Sequence, residues 1–222
     1  MQDKNDDLTL SASQQYTTLE FVQSPMPGVS RGSLDRKGAE KARATTLVRY
    51  EPSRSFSSHI HSGGEEFLVL EGTFVDQKGS YPVGTYVRNP VGSAHAPWVG
   101  ADGCLILVKL CFMHPDDPLH VIRDATSIPD GIKERALFKS ECTTESVSVV
   151  RLDSGEEIVG GAGHKGLEIL VLEGSVLYQG SVFEKYGWIR IAAGDLNAIT
   201  GGKIGARLYV KRDHLESHSI DF

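Results

Sequence analysis

His59-Ile-His-Ser-Gly-Gly-Glu-Glu-Phe-Leu-Val-Leu-Glu-Gly72 carries a chemical pattern and a structural one in a single stretch. The apolar run Phe67–Leu70 closed by Gly72 reads as a short strand. On an extended strand, residues i and i+2 point to the same face, so His59 and His61 can converge on one ion. Ser62-Gly63-Gly64 is a flexible corner that can bring Glu65 back towards that point. His95 completes the set. Three imidazoles and one carboxylate suit a borderline divalent metal and leave coordination positions open for water or a small molecule.

Working outward from Gly72, strand-like runs recur between Gly, Pro, Asp and Ser, among them Thr46–Tyr50, Gly84–Arg88 and Leu105–Lys109. Helical spacing is confined to two weak stretches, Lys37–Lys41 and Gly131–Leu137. Many short strands with turn signals between them predict an all-β chain of sandwich or barrel type. The runs also repeat. Leu68-Val-Leu-Glu-Gly72 returns as Leu170-Val-Leu-Glu-Gly174, displaced by 102 positions, and Arg49, Arg88, Gly92 and Gly103 fall on Arg151, Arg190, Gly194 and Gly205 in the same register. Two copies of one β unit are expected. The predicted organisation is a loose polar arm over 1–20, a first barrel over 21–125 and a second over 126–222. Ile122–Gly131 reads as the connector.

The same offset places the metal in the first copy alone. His59, His61, Glu65 and His95 map onto Gly161, Gly163, Leu167 and Asn197. His164 and Glu168 lie out of register, and a slip of one residue turns a strand side chain to the other face.

The chain has 222 residues, 40% hydrophobic and 23% charged, with a formal net charge of −6 and a pI near 5.7. This acidic balance argues against nucleic acid or an anionic membrane as partner, because both need a basic surface. No apolar run approaches a membrane span, and the acidic N-terminus does not read as a signal peptide. Cys104, Cys111 and Cys142 form no CxxC pair, which predicts free thiols and a cytoplasmic location.

The spacing His59, His61, Glu65, Gly72 followed by Gly84, Pro90, Gly92, His95 resembles the two cupin motifs. Val99 stands where the second motif usually has asparagine, a position that is not a ligand. His-x-His-x-Gly-Gly-Glu-Glu, Val-Leu-Glu-Gly-x-Phe and Tyr-Pro-x-Gly-Thr-Tyr are similar, more narrowly, to the ChrR-type cupin over residues 25–113. The resemblance implies two tandem cupin (double-stranded β-helix, jelly-roll) barrels, the second degenerate. It implies one divalent metal on His59, His61, Glu65 and His95, zinc first, with iron, manganese, nickel or copper also fitting. ChrR-type anti-sigma factors grip their sigma factor with an N-terminal His-x3-Cys-x2-Cys domain. Residues 1–44 lack that motif, so sigma binding is not expected.

Several functions fit. One is a small-molecule or oxidative-stress sensing module; another is a non-haem dioxygenase acting on a small carbonyl or phenolic compound. A metal-assisted isomerase and a purely structural metal are further alternatives. A small-molecule ligand is expected, and a homodimer through exposed strand edges is compatible. Glu66 should face away from Glu65, in a surface or supporting role. Arg49 and Arg88, repeated as Arg151 and Arg190, are expected in structural salt bridges, Tyr86 and Trp188 in barrel packing, and His114 and His120 at the surface. Phe67, Phe74, Tyr81, Trp98 and Phe112 are candidates for lining the pocket.

Overall fold

The computed structural model of the chain describes residues 2–38, 42–159 and 164–215. They form two β units, one from residues 2–6 and 20–126, the other from 7–19 and 127–215. Each is a jelly-roll barrel of antiparallel strands. In the first, the sheet runs in the order Val121–Asp124, Thr85–Asn89, Glu65–Asp76, Trp98–Leu110, Arg43–Tyr50, Val29–Lys37, Val22–Gln23, with a separate ribbon of His59–His61 on Ser93–His95. In the second the order is Ala12–Gln14, Trp188–Ile191, Leu167–Tyr178, Ala198–Arg212, Ser146–Leu152, Glu134–Lys139. The two orders match strand for strand apart from Val22–Gln23, and Glu65–Asp76 and Leu167–Tyr178 keep the sequence offset throughout.

Alternation along the central strand builds the core. Phe67 and Val69 point inwards with Ile106 and Val108, which face them across the ladder. The register slips between the Leu105 and Ile106 pairings, where Leu70 is the extra residue. That bulge reverses the parity, so beyond it Phe74 joins the same interior cluster. Gly72 follows directly at φ +69°, against the Gly103 carbonyl where a Cβ would collide. Gly174 meets the Gly205 carbonyl in the same way at φ +72°. The second interior is apolar throughout, including Leu167, Tyr178, Phe183 and Ile191.

Three expectations are corrected here. The N-terminal stretch is not a loose arm. Ala12–Gln14 pairs with Trp188–Ile191, and the buried Arg190 Nη2 donates to the carbonyls of Asp7 and Leu10 at 3.0 and 3.1 Å. The open edge of that strand and its buried guanidinium both need backbone partners. In the first unit, Val121–Asp124 covers the matching edge, so part of the expected connector is itself a strand. Of the two weak helical stretches, Glu134–Lys139 is a strand on Ser146–Leu152, tertiary pairing overriding local spacing. Residues 39–41 of the other lie outside the described residues.

Arg88 makes the expected salt bridges. It is 1% exposed and donates to Glu66 Oε2 at 3.0 Å and to Asp117 Oδ2 at 3.2 Å. Glu66 does face away from Glu65, but it is buried rather than at the surface. Tyr86 and Trp188 are fully buried packing residues. Arg49 is held differently, stacked over the Phe21 ring at 4.2 Å, and Arg151 donates to the Ile128 carbonyl at 3.1 Å. Because Arg88→Met would take a shared cation away from the buried carboxylates of Glu66 and Asp117, it is expected to cost about 3–5 kcal/mol of stability. Urea denaturation monitored by tryptophan fluorescence measures this; a loss below about 1 kcal/mol would mean that the network is solvated.

Candidate metal centre

Ladder pairing assembles the site. His59 lies opposite His95, and His61 opposite Ser93. The three imidazole rings are mutual edge-on neighbours with centroids 4.8, 5.0 and 4.9 Å apart. One nitrogen from each lies within 4.8 Å of the others, a group that could hold a metal ion. His61 and His95 are buried, and His59 is partly exposed at the rim. The corner before Glu65 turns at Gly64, whose φ of +76° and contact with the Met113 side chain leave no room for a Cβ. Glu65 then opens the central strand and points its Oε2 to within 3.5 Å of His61 Nε2 and 3.6 Å of His95 Nε2. All four residues singled out from sequence therefore meet.

Hydrogen bonds orient the donors. His95 Nδ1–H donates to Asp76 Oδ2 at 3.0 Å, which leaves Nε2 as a lone pair facing His61 Nε2 at 3.1 Å. His59 Nδ1 meets the Ser57 carbonyl at 3.1 Å, again leaving Nε2 for the centre. Asn89 Nδ2 donates to Glu65 Oε2 at 3.1 Å, and Tyr81 Oη to Asp76 Oδ1 at 2.9 Å. Imidazole nitrogens bound to one ion at ~2.0–2.1 Å, at ordinary coordination angles, sit ~3.0–3.4 Å from each other. The spacing of His61 and His95 fits this, as does the donor chemistry.

Electrostatics favour the same state for the two buried imidazoles. Burial, helped by neighbouring His59 and Lys78, pushes the His61 imidazole down to about 4, so it is neutral and ligand-ready at neutral pH. Burial also lowers His95, against the pull of Glu65 and Asp76. Burial raises Glu65, although His95 and the Asn89 hydrogen bond act the other way. Burial would raise Asp76 too, but hydrogen bonds from the Lys78 N–H, His95 and Tyr81 outweigh it and hold this carboxyl low. Asp76 thus stays an anion behind His95, the carboxylate–histidine arrangement that sharpens a metal ligand.

A cavity of about 390 Å³ opens beside the cluster, with His59, His61, Gly63, Gly64 and Glu65 in its wall. The expected aromatic lining is absent from it. Phe67, Phe74 and Tyr81 fill the barrel interior, Phe74 packing its ring 5.9 Å from that of His95. Trp98 is exposed, and Phe112 lies under the Lys109 ammonium, 4.1 Å from it. The wall instead combines aliphatic side chains such as Val48, Val108 and Leu110 with polar and charged ones, and among the described residues Tyr50 is its one benzene ring.

The second unit has lost more than the ligands. Leu167 occupies the place of Glu65, and the supporting residues Asp76, Tyr81 and Asn89 are matched by Tyr178, Phe183 and Ile191, all within the apolar core. Asn197, in the place of His95, is exposed and donates to Asp195 at 2.7 Å. Glu168 pairs with His214 at 3.1 Å, and His164 meets Asp213 at 3.3 Å, so these two do not assemble a second centre. Gly161 and Gly163 lie outside the described residues.

The sequence model of the ChrR cupin-like domain matches residues 11–114. The solved structures agree with it on the fold. The chain has the cupin fold. Bacterial pirin YhhW of Escherichia coli, crystallised with nickel(II), is 14% identical over 91% of this chain and 98% of its own, with a TM-score of 0.68. Protein YlbA of E. coli is 14% identical, with 96% and 95% covered and a TM-score of 0.70. The salicylate 1,2-dioxygenase of Pseudaminobacter salicylatoxidans is 11% identical, with 95% and 86% covered and a TM-score of 0.60. No curated protein matches the chain by sequence. Among the described residues, no helix is long and apolar enough to cross a membrane.

Asp76 and Asn89 escaped sequence reasoning. Parity along the strand places Asp76 on the face opposite Glu65, and only the bulge at Leu70 turns it in. Asp76→Asn is expected to weaken affinity for Zn²⁺ or Co²⁺ about 10- to 100-fold. Competition against a chromophoric chelator gives the value, and an unchanged constant would remove Asp76 from the site.

Proposed function

We propose that the first cupin barrel holds one divalent metal, zinc in the first instance, through His59, His61, Glu65 and His95. The ion serves to bind a small organic molecule from the adjoining cavity, and the protein acts as a sensing or regulatory module. The observation that carries this is the convergence of four donors on a cavity otherwise poor in groups able to move a proton. Tyr50 and Cys111, which also line it, are both raised by burial and stay protonated at neutral pH. Among the described residues, Glu65 is the one carboxylate in the wall. Such a lining suits binding better than acid–base catalysis in several steps.

A second reading is a non-haem dioxygenase acting on a small carbonyl or phenolic compound. It is favoured by the ligand residues themselves forming the cavity wall, so that a substrate could reach the ion directly. A redox-active ion there would supply the oxygen chemistry, while the aliphatic part of the wall packs against the substrate and Glu65 holds or accepts a proton.

Metal analysis of protein purified without added metal separates the two. Zinc with no oxygen uptake on aromatic ketones or phenols supports the sensing module, whereas iron with oxygen uptake supports the dioxygenase. His61→Ala is expected to abolish metal retention while circular dichroism keeps the β signature. Global unfolding of that variant would instead mark the metal as a structural one.

A further inference from the structure

The cavity beside the triad carries two positive charges that the metal-binding residues do not account for. Arg31 and Arg36 both line it, from the one strand Val29–Lys37. An odd separation should place them on opposite faces. A bulge prevents this. The ladder with Arg43–Tyr50 slips between the Ser33 and Asp35 pairings, so Arg31 lies opposite Val48 and Arg36 opposite Ala44. Val48 and Ala44 also line the cavity, so the bulge turns both arginines onto that face.

The pair of charges is not repeated in the second copy. The twin strand Glu134–Lys139 repeats the bulge, between the Ala136 and Phe138 pairings. There Glu134 lies opposite Val150, the counterpart of Val48, so an acid stands where Arg31 stands. That acid accepts from Arg212 Nη1 at 2.8 Å, an outward ion pair. The bulge is therefore scaffold; the place of Arg36 is taken by Lys139, opposite Ser146 and exposed, so the two barrels differ in the sign of the charge at the Arg31 position and in the burial of the second cation. Among the described residues, Arg31 has no hydrogen-bond or ion-pair partner in its side chain, although it is only half exposed. Arg36 is buried, and burial first, then the neighbouring positive charge of Arg31, work against its own, while Asp3 supports it. The two like charges repel one another, a repulsion that an anion bound between them would offset.

We propose that this cavity takes a small organic carboxylate, its acid group held by Arg31 and Arg36 and its apolar body against Met26, Val48, Val108 and Leu110. The planar fork of a guanidinium suits a carboxylate bidentately. The aliphatic wall selects an organic anion over a bare inorganic one. The proposal deepens the reading above by naming the class of molecule brought to the histidine cluster.

Calorimetric titration of benzoate and hexanoate, each beside its neutral amide, tests it in metal-free and zinc-loaded protein. At least one carboxylate should bind more tightly than its amide in both forms. Arg31→Gln should weaken that carboxylate roughly 10- to 100-fold, with the amide unchanged and zinc retention intact. Arg31→Lys should recover part of the loss, which separates lost charge from a disturbed fold. Arg36→Gln, checked by circular dichroism because Arg36 is buried, should act in the same direction. Equal affinity for acid and amide, no binding of either acid, or an unchanged constant in Arg31→Gln would overturn the proposal. Failure to retain zinc with the carboxylate preference preserved would sink the metal reading and leave the anion site standing.

Discussion

Everything at the site depends on the two-residue alternation of the strand Glu65–Asp76 and on where it breaks. Before the bulge, odd positions face the interior, so Glu65 reaches the histidines while Glu66 turns to Arg88 on the far side. After the bulge, even positions face inwards, and Asp76 arrives behind His95. One unpaired residue thus places Glu65 and the carboxylate that orients His95 on a single strand. The Gly72 and Gly103 backbones, in contact just beyond, hold that geometry because no side chain could enter there.

A second break in parity, in the strand Val29–Lys37, acts on the cavity in the same manner. Both bulges recur in the other barrel, between the Val171 and Glu173 pairings and between the Ala136 and Phe138 pairings. The scaffold was duplicated with its irregularities, while the side chains they present diverged. Leucine, tyrosine and isoleucine in the places of Glu65, Asp76 and Asn89 join the apolar core cluster of the second barrel. Filling such a space with apolar side chains stabilises the fold, whereas uncharged-pair burial of carboxylates would cost free energy. The contrast between the barrels is one between packing and chemistry on a common frame.

Two edges of this frame show how a strand's open side is managed. Val121–Asp124, which follows the first barrel in sequence, covers Thr85–Asn89. The N-terminal Ala12–Gln14 covers Trp188–Ile191. In both units a fully buried arginine, Arg88 or Arg190, sits on the covered strand and takes oxygen acceptors from the neighbouring segment. The polar composition of residues 1–20 concealed this, because backbone pairing to a waiting edge asks little of side-chain pattern.

The all-β class, the doubled unit and the four converging donors could be read from the chain alone. Each rests on short-range regularities: alternation within a strand, a glycine corner and one constant offset. What only the tertiary structure decided were the roles of Asp76 and Asn89, the aliphatic cavity wall, the inward turn of Arg31 and Arg36, and the pairing of the N-terminal strand. These depend on ladder register between segments distant in sequence and on bulges that invert a face. A single extra residue in a ladder leaves no mark on composition, yet it determines which side chains meet.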